Sequence, residues 1–471
     1  MHEINNINKR LRTIKHFSNY FVVALVILVL SGLIVLAAQG YDIDRSTGQV
    51  IQNGILLVET EPSGAVLSIN GRPESDRTSG KYPVPEGTYD LTLSKDGYRD
   101  WQTTAEVFGS KVNWIYYPRL IPETISTSTI NPLDDLKFIA QNPDRDVIVT
   151  SSSSNVRSLS VYDIGANEIE PSQLVIPQSV FFSNDNVVSG TIDFVRWSSL
   201  GRYLLVRYSV NNQDDLVLID LENISSSINL DRAYNLDFTD IVFTDNDSSV
   251  IGLSGGVVYE LNLSTPLLGE PIANGVKSVF MNNNRIWLQR DTTDGSAFAL
   301  LTDPTSPLVE REGEITTARV VDWDGVENMV IANDEGVFVY KDTTASRVEN
   351  ILVSKILKLD GYQRVTSSAN GRFIALHAPK VSLVYDLENL RTYSIDIGTE
   401  NSVAWLDDFR FYFELAGQLY IQDFNGSNSY QIAGFEKNYP AFVDSDFSAI
   451  YSTAIRSVDG QLVFRRSNLE L

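Results

Sequence analysis

The sequence contains no cysteine. That excludes disulfides, a lipid-modified cysteine and every zinc site built on thiolates. The chain must be held by its own packing, and the absence fits a prokaryotic surface protein better than a disulfide-dense secreted one. Histidine is nearly as scarce, with only His2, His16 and His377 present. Basic charge is short too: 37 Lys and Arg stand against 60 Asp and Glu, a formal net charge of −23. Such a surface repels phosphate, so nucleic acid is excluded as a partner, as is a folded part lying flat on anionic lipid. No Walker A or G-x-G-x-x-G phosphate loop is present.

The few cations are unevenly placed. Residues 1–19 hold Lys9, Arg10, Arg12 and Lys15 against Glu3, so the remainder is more acidic than the whole. Next comes YFVVALVILVLSGLIVLAA, residues 20–38, which carries no charge and no polar stripe. At 1.5 Å per residue, it spans roughly 28 Å as a helix, close to the thickness of a hydrocarbon core. Thirteen of the nineteen residues are Phe, Val, Leu or Ile. The pattern predicts a transmembrane helix over 20–38, a cytoplasmic basic tail over 1–19 and an extracytoplasmic bulk. A cleaved signal peptide is the competing reading, with VLAAQG offering small residues near a cut. The apolar run is long for it, and a typical A-x-A is missing.

After a juxtamembrane linker, residues 39–53, the chain turns to short alternating runs. Leu56 and Val58 alternate with Leu57 and Glu59; EPSG (61–64) is a turn signal, and Asn70-Gly71 a hairpin signal. Pro85-Glu86-Gly87 turns the chain again. Tyr89, Leu91 and Leu93 then share one face against Asp90, Thr92 and Ser94, before Asp96-Gly97 reverses it once more. The period predicts a small β-sandwich over 54–121. Pro85, Glu86, Gly87, Tyr89, Lys95, Gly97 and Tyr98 make this stretch resemble the PEGA domain, with Thr88 where that family's name has Ala. The resemblance implies location and architecture, in surface and envelope proteins of bacteria and archaea, and brings no catalytic residue. Tyr98, Trp101, Trp114 and Tyr116 are candidates for stacking on a sugar, although aromatics at such spacing also serve as core.

Residues 122–135, PETISTSTINPLDD, read as a linker. Beyond it the chain is repetitive. An apolar strand leads to a Ser/Asn/Gly turn and a basic residue, then a second strand, then a third ending in Asp. The order is plainest at 194–223 and 363–389 and looser at 240–264, 278–304, 320–344 and 402–426, with 137–167 and 440–468 as first and last copies. A period of about 40 with several strands per copy predicts a β-propeller over 136–471. Its bladed strands are similar to those of TolB-type and prolyl-oligopeptidase-type propellers. Eight copies give eight blades, or seven if the two ends combine into one.

Little chemistry emerges. GLSGG (252–256) fits the G-x-S-x-G nucleophile elbow, but β runs flank it on both sides, where that elbow needs a following helix. His377, the one histidine beyond the predicted helix, follows a strand as a structural or exposed residue. The Asp-rich turns TDNDSS (244–249), DTTDGS (291–296) and DWDG (322–325) lack the EF-hand order of ligands.

The sequence therefore predicts an all-β ectodomain, a PEGA-like sandwich plus a seven- or eight-bladed propeller, on a single N-terminal transmembrane helix in the cell membrane. No catalytic, cofactor-binding or metal residue is assigned, and no cofactor. The expected role is binding or scaffolding at the cell envelope with a protein or cell-wall glycan partner. The alternative is an extracytoplasmic glycan or peptide hydrolase using channel carboxylates.

Overall fold

The computed structural model describes residues 20–36, 40–43, 48–133, 135–166, 168–181, 189–244, 247, 249–282, 285–343, 353–396 and 403–470. It divides into two compact units, Met1–Thr124 and Ile125–Leu471.

In the first unit, residues 20–36 form helix α1, with side chains exposed throughout. No described helix is long and apolar enough to cross a membrane. The predicted tail, 1–19, lies outside the described residues.

Two four-stranded sheets come after it. One joins β1 (Tyr41–Ile43), β2 (Val50–Val58), β5 (Gly80–Pro85) and β8 (Val112–Ile115). The other has the order β4-β3-β6-β7, from β3 (Val66–Ile69), β4 (Arg72–Arg77), β6 (Gly87–Ser94) and β7 (Trp101–Val107). Residues 39–53 are thus not simply a linker: β1 and the start of β2 pair antiparallel, Tyr41 opposite Gln52. The hairpin between β3 and β4 turns at Asn70 and Gly71, both with positive φ (49° and 76°), the twist that suits two antiparallel strands. Alternation puts Leu56, Val58, Leu67, Leu91, Leu93 and Trp101 between the sheets, each buried. Burying one such side chain contributes roughly 1.5–3 kcal/mol, which explains how a module this small holds without disulfides.

The second unit is a β-propeller of eight four-stranded sheets. Blades one to seven occupy 136–175, 191–229, 238–274, 278–312, 317–357, 364–396 and 404–434, each a meander of four successive strands. Blade eight takes three strands from 442–468 and its fourth from β9 (Thr127–Pro132), which pairs with Leu462–Asn468. The predicted linker 122–135 therefore contains a strand, and it closes the ring. The two ends do combine into one blade, yet the count stays eight because the joining strand comes from outside the copies. Blade one then packs on blade eight: Ile139, Ile148 and Tyr162 share a core with Tyr451 and Phe464. The Tyr162 and Phe464 rings meet edge-on at 5.2 Å.

The repeat grammar has a physical cause. In blade six, Arg372 after the turn donates from Nε and Nη2 to the two carboxylate oxygens of Asp386, at 2.9 and 2.8 Å. Asp386 ends the third strand and also accepts from Glu388 N, Asn389 N and Asn389 Nδ2. Blade two repeats the fork with Arg202 and Asp220. In blade seven Arg410 lies 3.6 Å from Asp423 and is also held by Asp407. The basic residue and the terminal Asp thus clip the second strand to the third.

Candidate functional site

In a propeller the blades stand around a central channel, and here first strands of neighbouring blades approach one another. Leu136–Gln141 meets Thr191–Trp197, Phe238–Phe243 meets Ser278–Asn282, Ser278–Asn282 meets Thr317–Trp323, and Arg319 reaches Ser367 from blade five to blade six. The charges on these strands are distributed unequally. In blades one to three they are paired: Lys137 Nζ lies 2.8 Å from Asp193 and Arg196 Nη2 2.7 Å from Asp240. Burial pushes the Asp240 carboxyl above its ordinary value, and Arg196 works against that shift. The first strands of blades seven and eight, Ala404–Trp405 and Phe442–Val443, bring no charge. Blades five and six place Arg319 and Arg364 on Thr317–Trp323 and Arg364–Ser367.

His377 does not follow a strand; it is the last residue of Phe373–His377, and it is buried. Its Nε2 is 2.8 Å from Thr366 Oγ1 and its Nδ1 is 2.8 Å from Ser382 Oγ. Burial, with Arg364 adding to it, pulls the imidazole from 6.5 to about 3. A histidine that refuses a proton when folded penalises folding in acid. Stability is lost as pH falls below 6.5, and the loss continues toward the folded value; by pH 5 it amounts to about 2 kcal/mol. Asp231, raised to about 6 mainly by burial, acts with the opposite sign over part of the same range. Comparing His377→Gln with the parent isolates the histidine: urea midpoints at pH 7 and 5 should diverge less in the variant. Equal acid losses in both proteins would contradict the assignment.

Ser254 of the GLSGG match ends Val250–Ser254, and the chain turns through Gly255 and Gly256 into Val257–Leu261. Its Oγ donates to Asp237 O at 2.7 Å, and His377 lies three blades away, so the match is a hairpin and assembles no triad. The Asp-rich turns are occupied as well. Asp247 accepts from Ser198 Oγ at 2.6 Å, Asp291 pairs with Lys277 at 3.0 Å, and Asp322 Oδ1 accepts from Gly325 N. Among the described residues no three His, Asp or Glu side chains cluster to hold a metal.

The four candidate aromatics of the first unit divide by burial. Trp101 and Tyr98 are buried, and Trp101 meets Tyr117 edge-on at 5.5 Å. Trp114, beside the inward Ile115, points out and is 57% exposed, with Tyr116 5.3 Å away. The sandwich order, the hairpin turns and the inward Leu-Trp core together match one known module. Residues 53–119 match the PEGA domain. The match leaves Trp114 and Tyr116 on the outer face of the PEGA sheet, next to exposed Ile55 and Val112 on the parallel β2–β8 ladder. A search of curated proteins by sequence gives no match. Similar solved structures include the Dos1 propeller, with a TM-score of 0.46 at 12% identity over 73% of this chain and 94% of that one. Apo AztD from Citrobacter koseri gives 0.41 at 10% identity over 80% and 96%. An oligogalacturonate lyase in complex with manganese gives 0.40 at 10% identity over 74% and 98%. Beside the PEGA module the chain carries a propeller, a fold that these comparisons leave without an assigned activity.

Sequence reasoning missed Arg319 and Arg364. Arg319 lies within TARVVDW and Arg364 opens RVTS, and neither sits in a recognisable motif.

Proposed function

We propose that the chain is a membrane-anchored binding or scaffolding protein of the cell envelope, with residues 1–19 cytoplasmic, 20–38 in the bilayer and 41–471 outside. Its partner is a protein or a cell-wall glycan. The observation that supports binding over hydrolysis is the state of the inner carboxylates. A glycosidase needs an acid and a second, free carboxylate flanking one bond. Asp193 and Asp240 are each tied to a cation of a neighbouring blade instead. The PEGA face with Trp114 and Tyr116 offers the amphipathic surface that glycan or protein contacts use. Supporting the anchor, Phe21, Leu28 and Ile34 of α1 are each exposed by well over half in a run without charge.

Membrane extraction tests the anchor. The full chain should stay with membranes through an alkaline carbonate wash. Leu28→Arg with Val29→Arg adds roughly 2.5–3.5 kcal/mol per site to insertion and should move the chain to the soluble fraction. A parent chain released by carbonate contradicts the anchor. Turnover of mixed envelope glycans or peptides by the full chain, lost in Asp193→Asn or Asp240→Asn, contradicts the binding role.

A further inference from the structure

Of the cations on the described first strands, Lys137 and Arg196 have carboxylate partners, whereas Arg319 and Arg364 have none within ion-pair distance. These two stand on adjacent blades. Arg319 Nη1 donates to Ser367 Oγ at 3.1 Å, three residues along the strand from Arg364. The Nε of Arg319 is buried without a partner. Arg364 spends one Nη2 donor on the carbonyl of Val403, across the next blade boundary, and the rest of its side chain is exposed. The two charges act on each other: burial and then Arg364 hold the Arg319 guanidinium below its ordinary value. Two like charges, one of them sunk in the wall, are an unfavourable arrangement for the empty ring. An anion between them would relieve both the repulsion and the unmet donor. In a chain of net charge −23, this is a local focus of the opposite sign.

We propose that the channel wall of blades five and six is a binding site for an oxyanion, with Arg319 and Arg364 as its contacts. A guanidinium presents paired N–H donors in a fork that matches the two oxygens of a carboxylate or phosphate, and two forks on adjacent strands recognise one such group from two directions. Ser367 positions the Arg319 fork by holding one of its nitrogens. The inference deepens the reading of the propeller as a binding platform and rests on it, but it does not depend on the anchor.

Calorimetric titration of the full chain in nanodiscs with citrate, and separately with inorganic phosphate, tests it. At least one anion should bind saturably at one site. Arg319→Gln and Arg364→Gln should each weaken it by about tenfold or more, the loss expected for a charge-assisted fork. Lys277→Gln, which removes a cation already paired with Asp291, should leave the affinity unchanged. Tighter binding of citrate assigns a carboxylate ligand, and tighter binding of phosphate a phosphorylated one. If Arg319→Gln does not fold, Arg364→Gln, at an exposed side chain, decides alone. Saturable binding of neither anion, or equal affinity in parent and Arg364→Gln, overturns the site. A chain that withstands carbonate washing yet binds neither anion loses this site and keeps its anchored-platform reading.

Discussion

Replacing Asp386 with alanine should lower the stability of the propeller by roughly 3–5 kcal/mol, the cost of breaking a buried ion pair by removing one partner. Asp386 and Arg372 are both almost wholly buried, with side-chain exposures of 0% and 4%. The carboxylate answers two guanidinium N–H groups and three donors from Glu388 and Asn389. Without it, Arg372 keeps only the partly exposed Glu388, 2.5 Å from its Nη1, while the rings of Trp323, Phe373, Phe409 and Phe424 stand within 6 Å of the guanidinium and keep the rest of it from water. The equivalent change in blade two should cost less, about 1–3 kcal/mol, because the Arg202 side chain is 40% exposed and can be hydrated once Asp220 is gone. Urea denaturation of the two variants measures the difference. Equal shifts would mean that burial does not set the worth of the clip.

Breaking β9 should have an effect of similar size by a different route. Proline at positions 128, 129 and 130 removes three amide N–H groups from a strand whose register sets Ser128 opposite Arg466 and Thr129 opposite Arg465. Strand Leu462–Asn468 would then present an open edge, and the shared core of Tyr162, Tyr451 and Phe464 would lose its tie between first and last blades. The expected result is a fall in the unfolding midpoint with a shallower transition, together with larger species on size exclusion. An unchanged midpoint and a single monomer peak would show that the ring does not depend on this closure.

The most legible blades are two, six and seven, which carry the full punctuation: a reversal, a cation, an apolar strand and an acid to receive the cation. Their boundaries come from residues such as Arg202, Asp220, Arg372 and Asp386, whose pairing is local within one blade. β9 is not legible by that logic. TSTINP carries no alternating apolar face, since it joins the sheet at its outer edge through backbone bonds and lies mostly exposed. A Thr/Ser-rich strand with nothing to bury looks like a linker. The strand β1 escapes for a similar reason, being three residues long. Burial of His377 depends on which residues blades six and seven bring beside it, including Phe411 at 5.8 Å, and no local pattern encodes that. Trp114 and Trp101, by contrast, are separable from sequence once Ile115 is taken as inward, because adjacent strand residues face opposite ways. The channel arginines carry no motif at all; only the ring brings Arg319 and Arg364 to neighbouring positions.

Controlled proteolysis of cells expressing the full chain tests the proposed topology most directly. Protease added to spheroplasts with intact inner membranes should degrade the acidic β-rich bulk and spare an epitope placed within residues 1–19. A bulk that survives on intact spheroplasts but is digested once they are lysed would contradict the account.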